Sequence, residues 1–322
     1  MTETTIGTTS TIKHLFVMNP GAGRVDGSRT LIEKLRPFDG RLDYEIYLTK
    51  GQDDATRYVK EKCREYEGSD CKLRFYACGG DGTICEVVSG LMGSSNKNTQ
   101  MSCYACGSGN DFIKYYAAQE DFLNIEKLIN GSPHVVDVME VREMGENPVV
   151  RHSINAVDVG FDSVVCKTMI DVKRKPLIGG KNAYTTGIVA AVFKGMNNCC
   201  TLTVDGKELH SGKMLLSTFA NGRYIGGGYL CAPRSKNDDG LMEVCMLKTM
   251  SLLRLIRVIG VYRRGEHFEK RSLARYIKYA QAREVEIRTP KEVHLVIDGE
   301  LISGSHFVLK QMPGAITFVA PR

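Results

Sequence analysis

The stretch LRFYACGGDGTICEVVSGLM, residues 73–92, decides the fold. Its first six residues are a short apolar run that reads as a buried strand, and the run breaks at Gly79-Gly80. Over residues 83–92, Ile84, Val87, Val88 and Leu91 recur at helical spacing, which predicts a helix with one apolar face. A buried strand that turns through glycine straight into a helix is the opening of a crossover unit in a parallel sheet.

Working outward, the same texture repeats. Upstream, residues 13–18 (KHLFVM) read as a strand that runs into Asn19-Pro20-Gly21-Ala22-Gly23. A helix is expected over 30–38, a strand over 44–49 and a helix over 53–66. Downstream, the strand at 101–106 ends at Gly107-Ser108-Gly109, and a helical stretch is expected after Asp111. Residues 1–11 are rich in Thr and Ser and read as a flexible tail. From about Val135 strand-like runs dominate, at 135–142, 150–159, 200–204, 213–221, 241–247, 283–288 and 293–297, with helices expected near 183–194 and 251–262. The fold class is therefore an N-terminal α/β domain followed by a mainly antiparallel β domain.

Composition excludes several classes. With 43% hydrophobic and 25% charged residues in 322, the chain is neither disordered, collagenous nor a coiled-coil rod. No apolar run reaches the roughly 18–20 residues of a membrane span, and the N-terminus lacks a signal-peptide core, so a cytoplasmic protein is expected. The eleven cysteines are scattered, and the only CxxC, Cys103 with Cys106, has no second pair, which favours reduced thiols over a zinc site. The net charge of +6 is uneven, since residues 248–291 hold twelve Lys and Arg against four Asp and Glu. Such a segment is either a solvated surface or a face for an anionic membrane surface or nucleic acid. Leu252, Leu255, Ile256 and Ile259 follow helical spacing there, either as core or beside a docking surface.

Chemistry concentrates at the strand ends. Gly79-Gly80-Asp81-Gly82-Thr83 stands where ligands of open α/β sheets bind, with a helix N-terminus that offers free amides to phosphate. Asp81 would repel phosphate unless a cation or a transferred proton is involved, which points to Mg²⁺ or acid–base work; the plainer reading is a helix cap. The chain has no GxxxxGK[ST] and no strand-linked GxGxxG, against a P-loop or dinucleotide fold. Lys236-Asn237-Asp238-Asp239-Gly240-Leu241 is either a tight turn or a small Mg²⁺ or Ca²⁺ site without EF-hand spacing. Ile297-Asp298-Gly299-Glu300 reads as a hairpin turn.

In order, NPGAG, GGDGT, GSGNDF, KNDDGLMEV and IDGE resemble the diacylglycerol kinase catalytic family, which includes sphingosine and ceramide kinases and bacterial lipid kinases. The resemblance runs from about Ile12 to Pro321. GGDGT alone is shared with NAD kinases and phosphofructokinases, and its company with GSGNDF and IDGE makes it specific. The resemblance implies an ATP- and Mg²⁺-dependent kinase of a lipid hydroxyl, with diacylglycerol the expected acceptor. A sphingoid base or ceramide is the alternative acceptor, and a catalytically silent membrane-surface binder of the same fold is the alternative class. It implies a nucleotide-binding domain over 12–133, with 306–322 returning to it, a lipid-substrate domain over 134–305, and the active site in the cleft between the two. It places Asn19, Pro20, Gly21, Ala22 and Gly23, Thr49, the loop Gly79, Gly80, Asp81, Gly82, Thr83, Ile84 and Cys85, and Ser108 at the nucleotide. Asp81 is the essential carboxylate and Glu300 the proton acceptor. Asp239 is the metal ligand, with backbone oxygens of Lys236 and Leu241. The expected partners are a lipid substrate, an anionic membrane surface touched peripherally, and a second copy in a homodimer, with no nucleic acid. Ala22 replaces the usual Ser, Cys85 stands where Asn is common, and Ser108 replaces Thr but keeps the hydroxyl.

Overall fold

The computed structural model describes residues 11–23, 26–161, 163–164 and 198–322. The expected tail, apart from Thr11, and the helix expected at 183–194 lie outside the described residues. The chain forms two compact units. Residues 1–108, 117–134 and 316–322 make the first, and residues 109–116 and 135–315 the second.

In the first unit the chain alternates β1 (Ile12–Met18), α1 (Ser28–Leu35), β2 (Tyr44–Leu48), α2 (Asp54–Glu65), β3 (Lys72–Gly79), α3 (Asp81–Met92) and β4 (Thr99–Ala105), with a short α4 (Ile125–Ile129). The strands pair in parallel in the order β2-β1-β3-β4. Leu15, Phe16, Val17 and Met18 are fully buried in a row, as are Phe75, Tyr76, Ala77 and Cys78. Consecutive burial is what a parallel sheet covered on both faces demands, and it explains why these strands read as unbroken apolar runs. Phe16 stacks on Tyr76 with ring centroids 4.3 Å apart. Helix α1 gives way to a 3-10 turn at Arg36–Phe38, where Pro37 removes a backbone donor. Helices α2 and α3 lie close because Gly90 carries no Cβ; one there would come within 2.6 Å of the Val59 Cβ.

The second unit is built from β5 (Ser132–Glu143), β6 (Val149–Ser153), β7 (Ala156–Gly160), β8 (Asn198–Val204), β9 (Lys207–Ala220), β10 (Met242–Lys248), α5 (Leu252–Arg263), β11 (Ile277–Ala282), β12 (Glu284–Ile297) and β13 (Glu300–Ala320). Its ladders are antiparallel. The long strands β9 and β12 are bridged twice, by β7 at one end and β8 at the other. Val157, Val159, Leu202, Met214, Phe219, Ile287 and Phe307 of these and the adjoining strand β13 share one buried core. A second apolar layer, with Leu215, Cys231 and Leu247, receives Leu255 and Tyr262 of α5. Residues 300–315 of β13 belong to this unit, and its last residues, from Ile316, belong to the first, where Phe318 pairs in parallel with Met101 of β4.

Several local expectations change. The strand expected over 150–159 is two strands, β6 and β7, separated at Ile154-Asn155, whose amides are turned onto the Asp298 carboxylate. The stretch after Asp111 is a 3-10 turn, Phe112–Tyr115, and not an α-helix. On α5 the buried line is Leu255, Val258 and Tyr262, while Ile256 and Ile259 are exposed, so the expected stripe of Leu252, Leu255, Ile256 and Ile259 is not one buried face; the side chain of Leu252 lies outside the described residues. Positions 255, 258 and 262 fall on one side of a 3.6-residue helix, and Ile256 and Ile259 fall outside that arc.

Candidate active site

Parallel pairing puts the carboxyl ends of β1, β2, β3 and β4 on one edge of the first unit's sheet, and with them residues 19–23, Thr49, 79–83 and 106–108. The loops are tied there by specific bonds. The Asn19 amide donates to the Cys78 carbonyl at 3.0 Å, and the Gly107 amide to the Gly79 carbonyl at 3.0 Å. Asn19 Nδ2 donates to Thr83 Oγ1 at 3.3 Å, while Asn19 Oδ1 accepts from the Gly21 amide at 3.0 Å. The Thr49 amide donates to the Met18 carbonyl at 2.8 Å.

The glycines have structural causes. A Cβ at Gly79 would run into the Thr83 side chain, which folds back over the end of β3. Gly23 has φ +80°, and a Cβ on it would lie 2.6 Å from the Cys106 carbonyl oxygen. Gly80 is extended and occupies the N-cap of α3, which no side chain caps, and Asp81 is the first helical residue. Asp81 is therefore not the capping residue, and its carboxylate sits at the positive end of the α3 dipole. Thr83, Ile84 and Cys85 are buried, which makes their side chains part of the loop's support. A backbone bared by glycine at a helix N-terminus fits a phosphate group.

In the second unit the 236–241 turn is fastened from below by Asp137. This buried side chain accepts from the Gly240 amide and from the Gly314 amide, each at 2.7 Å. Gln311 Nε2 donates to Asn221 Oδ1 at 2.9 Å and reaches the Leu241 carbonyl at 3.4 Å. Asp239 is exposed, and its Oδ1 accepts from the Leu241 amide at 3.1 Å. Asp137, Asp238 and Asp239 line one open depression of about 500 Å³ together with Arg283, Gln311 and Pro313. Among the described residues no three His, Cys, Asp or Glu side chains gather into a metal cage. A cation here would rest on the Asp239 carboxylate and on backbone oxygens such as those of Lys236 and Leu241, a hard-oxygen donor set that suits Mg²⁺ or Ca²⁺. Asp137 was not singled out in the sequence; its signal is an acid set among the buried Val136 and Val138 of a strand.

Glu300 opens β13 directly opposite Ile297 of β12, and Asp298-Gly299 form the two-residue turn between them, with φ +47° and +93°. Both central residues at positive φ make this the hairpin turn that Asp-Gly favours. Asp298 is buried and accepts four bonds. Oδ1 takes Ser153 Oγ at 2.7 Å, the Asn155 amide at 3.2 Å and the Ala156 amide at 2.8 Å, and Oδ2 takes the Ile154 amide at 2.9 Å. Burial pushes the Asp298 carboxyl up, and these donors pull it back. Glu300 is thus held on a hairpin whose turn is bolted to the β6–β7 break. The cysteines among the described residues are free thiols, and burial pushes those of Cys78 and Cys103 well up. No helix among the described residues is long and apolar enough to cross a membrane.

Residues 13–141 match the diacylglycerol kinase catalytic domain, and residues 155–320 match the YegS C-terminal NAD kinase beta sandwich-like domain. The chain is 29% identical over 292 residues to a diacylglycerol kinase of Bacillus subtilis (strain 168), covering 88% of each. It is 27% identical over 306 residues to a probable lipid kinase YegS-like of Yersinia pestis (strain Pestoides F), covering 94% of this chain and 95% of the relative. In fold it is similar to the crystal structure of a putative diacylglycerol kinase from Bacillus anthracis str. Sterne, with a TM-score of 0.69, 22% identity and coverage of 96% and 97%. A yeast NADH kinase complexed with NADH shares the fold more distantly, with a TM-score of 0.52, 12% identity and coverage of 98% of this chain and 85% of that one. With both of its halves matched in order, the chain belongs to the diacylglycerol kinase catalytic family, in the form that ends in the YegS-type β-sandwich, and is a phosphotransferase.

Proposed function

We propose that the chain transfers the γ-phosphoryl group of ATP, with Mg²⁺, to a lipid hydroxyl, and that the preferred acceptor is diacylglycerol. The observation that carries this reading is the set of bonds that gathers Asn19, Thr83, Gly79 and Gly107 at one sheet edge. ATP with Mg²⁺ supplies the electrophilic phosphorus when bound. Amides of the 79–83 loop and of residues 19–23 hold the phosphates, with Thr49, Ile84, Cys85 and Ser108 completing the nucleotide side. Asp81 sets a negative charge where a cation must be retained, and Glu300 takes the proton from the acceptor hydroxyl as it attacks. Asp239 holds a second, structural cation that keeps the 236–241 turn in shape. Ala22 and Cys85, standing where the resemblance expects Ser and Asn, bear on affinity for the nucleotide and not on the reaction type, since neither replaces a carboxylate.

Radiolabelled ATP offered with a panel of lipid alcohols in mixed micelles tests the reading. Label should enter diacylglycerol, and only when Mg²⁺ is present. Label entering a sphingoid base or ceramide in preference would move the acceptor to that class. Lipid binding with no turnover of any acceptor would leave a silent binder of the same fold.

A further inference from the structure

Outside helix α5, the large exposed apolar side chains among the described residues are Ile32, Leu48 and Val135, with Met144 and Val149 flanking the β5–β6 hairpin. Helix α5 differs. Leu253, Ile256 and Ile259 lie within two turns of it at 70%, 61% and 41% exposure. The helix cannot turn these residues inward, because Leu255, Val258 and Tyr262 on its other side are already buried, Leu255 and Tyr262 against Cys231, Leu247 and Met250. The cost of leaving three large aliphatic side chains in water on a fastened helix asks for an occupant.

Charge identifies it. Residues 252–263 contain Arg254, Arg257 and Arg263 and no Asp or Glu. Among the described residues none of these three arginines forms an ion pair, whereas the next one, Arg264, is paired with Glu266. Arg254 and Arg263 lie over the rings of Tyr276 and Tyr229 at 4.9 and 5.6 Å, which holds their guanidinium groups near the surface without neutralising them. A second copy of the helix would bring arginine against arginine, so the face suits an anionic surface better than itself.

We propose that this face of α5 docks on an anionic lipid bilayer. Leu253, Ile256 and Ile259 enter the boundary between headgroups and acyl chains, and Arg257 and Arg263 meet lipid phosphates, the arrangement of an interfacial amphipathic helix. The proposal deepens the lipid-acceptor reading and rests on it, since a lipid acceptor resides in a bilayer and the enzyme must reach it there.

The chain contains no Trp, so Ile256→Trp places a single fluorophore on the face, and Ile32→Trp serves as the control. Vesicles of phosphatidylcholine with phosphatidylglycerol should shift the emission at 256 to the blue and allow quenching by brominated acyl chains. Pure phosphatidylcholine should do so weakly, and the probe at 32 should not respond. Vesicle co-sedimentation of a Leu253→Ser, Ile256→Ser, Ile259→Ser variant should fall by about tenfold or more, and an Arg257→Gln, Arg263→Gln variant should lose the preference for anionic vesicles and its salt dependence. Melting curves that match the parent confirm that both variants are folded. No shift at 256 with any vesicle, or equal shifts at 256 and 32, overturns the proposal. So does lipid-free protein whose 256 probe is already blue-shifted and whose sedimentation shows a dimer, because the occupant is then a second copy. The fluorescence readout needs no turnover and the micelle assay needs no bilayer, so failure of the docking face and failure of the acceptor reading are told apart.

Discussion

At the scale of the residue, two carboxylates carry separate expectations. Asp81 begins α3 directly after Gly80, and the role proposed for it rests on its charge rather than its size. Asp81→Asn should lower kcat by about 10²-fold or more, the scale of lost charge stabilisation or base catalysis, while the melting temperature stays near that of the parent. A near-normal kcat in the folded variant would remove Asp81 from the chemistry. Glu300 stands at the first position after a rigid turn. Glu300→Gln should reduce kcat and leave ATP affinity almost intact, because a base acts mainly in the transition state. Loss of ATP affinity with kcat preserved would make Glu300 a nucleotide ligand instead. Equilibrium binding of ATP beside steady-state kinetics separates the two results.

At the scale of the element, two turns do the positioning. The β12–β13 turn is held by Asp298, whose two oxygens collect one hydroxyl and three amides. Asn at this position keeps one acceptor and turns an NH₂ group toward donors, so Asp298→Asn should cost about 1–3 kcal/mol in urea unfolding. Its effect on kcat should exceed what the small loss of folded protein explains, since the turn aims Glu300. The 236–241 turn is fastened through Asp137 and leaves Asp239 at the surface of the depression. Mg²⁺ should raise the melting temperature of the parent, and Asp239→Ala should abolish most of that rise. An equal rise in the variant would return the segment to a plain turn.

At the scale of the whole molecule, a buried histidine links folding to pH. His14 on β1 is 4% exposed and its Nδ1 lies 2.7 Å from the Tyr76 hydroxyl. Burial, with Arg74 nearby, lowers its pKa from 6.5 to about 4. The folded protein keeps the imidazole neutral while the unfolded chain protonates it. Stability from this source is therefore complete above the unfolded value and is lost as pH falls from 6.5 toward 4. The loss is at most about 3 kcal/mol. His14→Phe should flatten the fall in melting temperature over that interval, relative to the parent, and an unchanged slope would place the titration elsewhere.

The sequence by itself determined the parallel half of the fold. Strands buried on both faces must be written as continuous apolar runs, and the turn from each strand into its helix must be written in glycine. Both signals are local, so residues 73–92 announced a crossover unit, the Asp-Gly hairpin at 298–299 declared its own turn, and the kinase motifs stood in order along the chain. Only the tertiary structure decided what non-local partners decide. The break between β6 and β7 depends on Asp298, more than 140 residues away in the chain, and no local pattern around 150–159 encodes it. The role of Asp137 depends on Gly240 and Gly314, whose amides reach its two oxygens from more than 100 positions away in the chain. The apolar residues of α5 sorted into buried and exposed sets only when the sheet beneath took Leu255 and Tyr262. Helical spacing fixes which residues share an arc, but which arc faces the core is set by the surface that the rest of the chain presents to it.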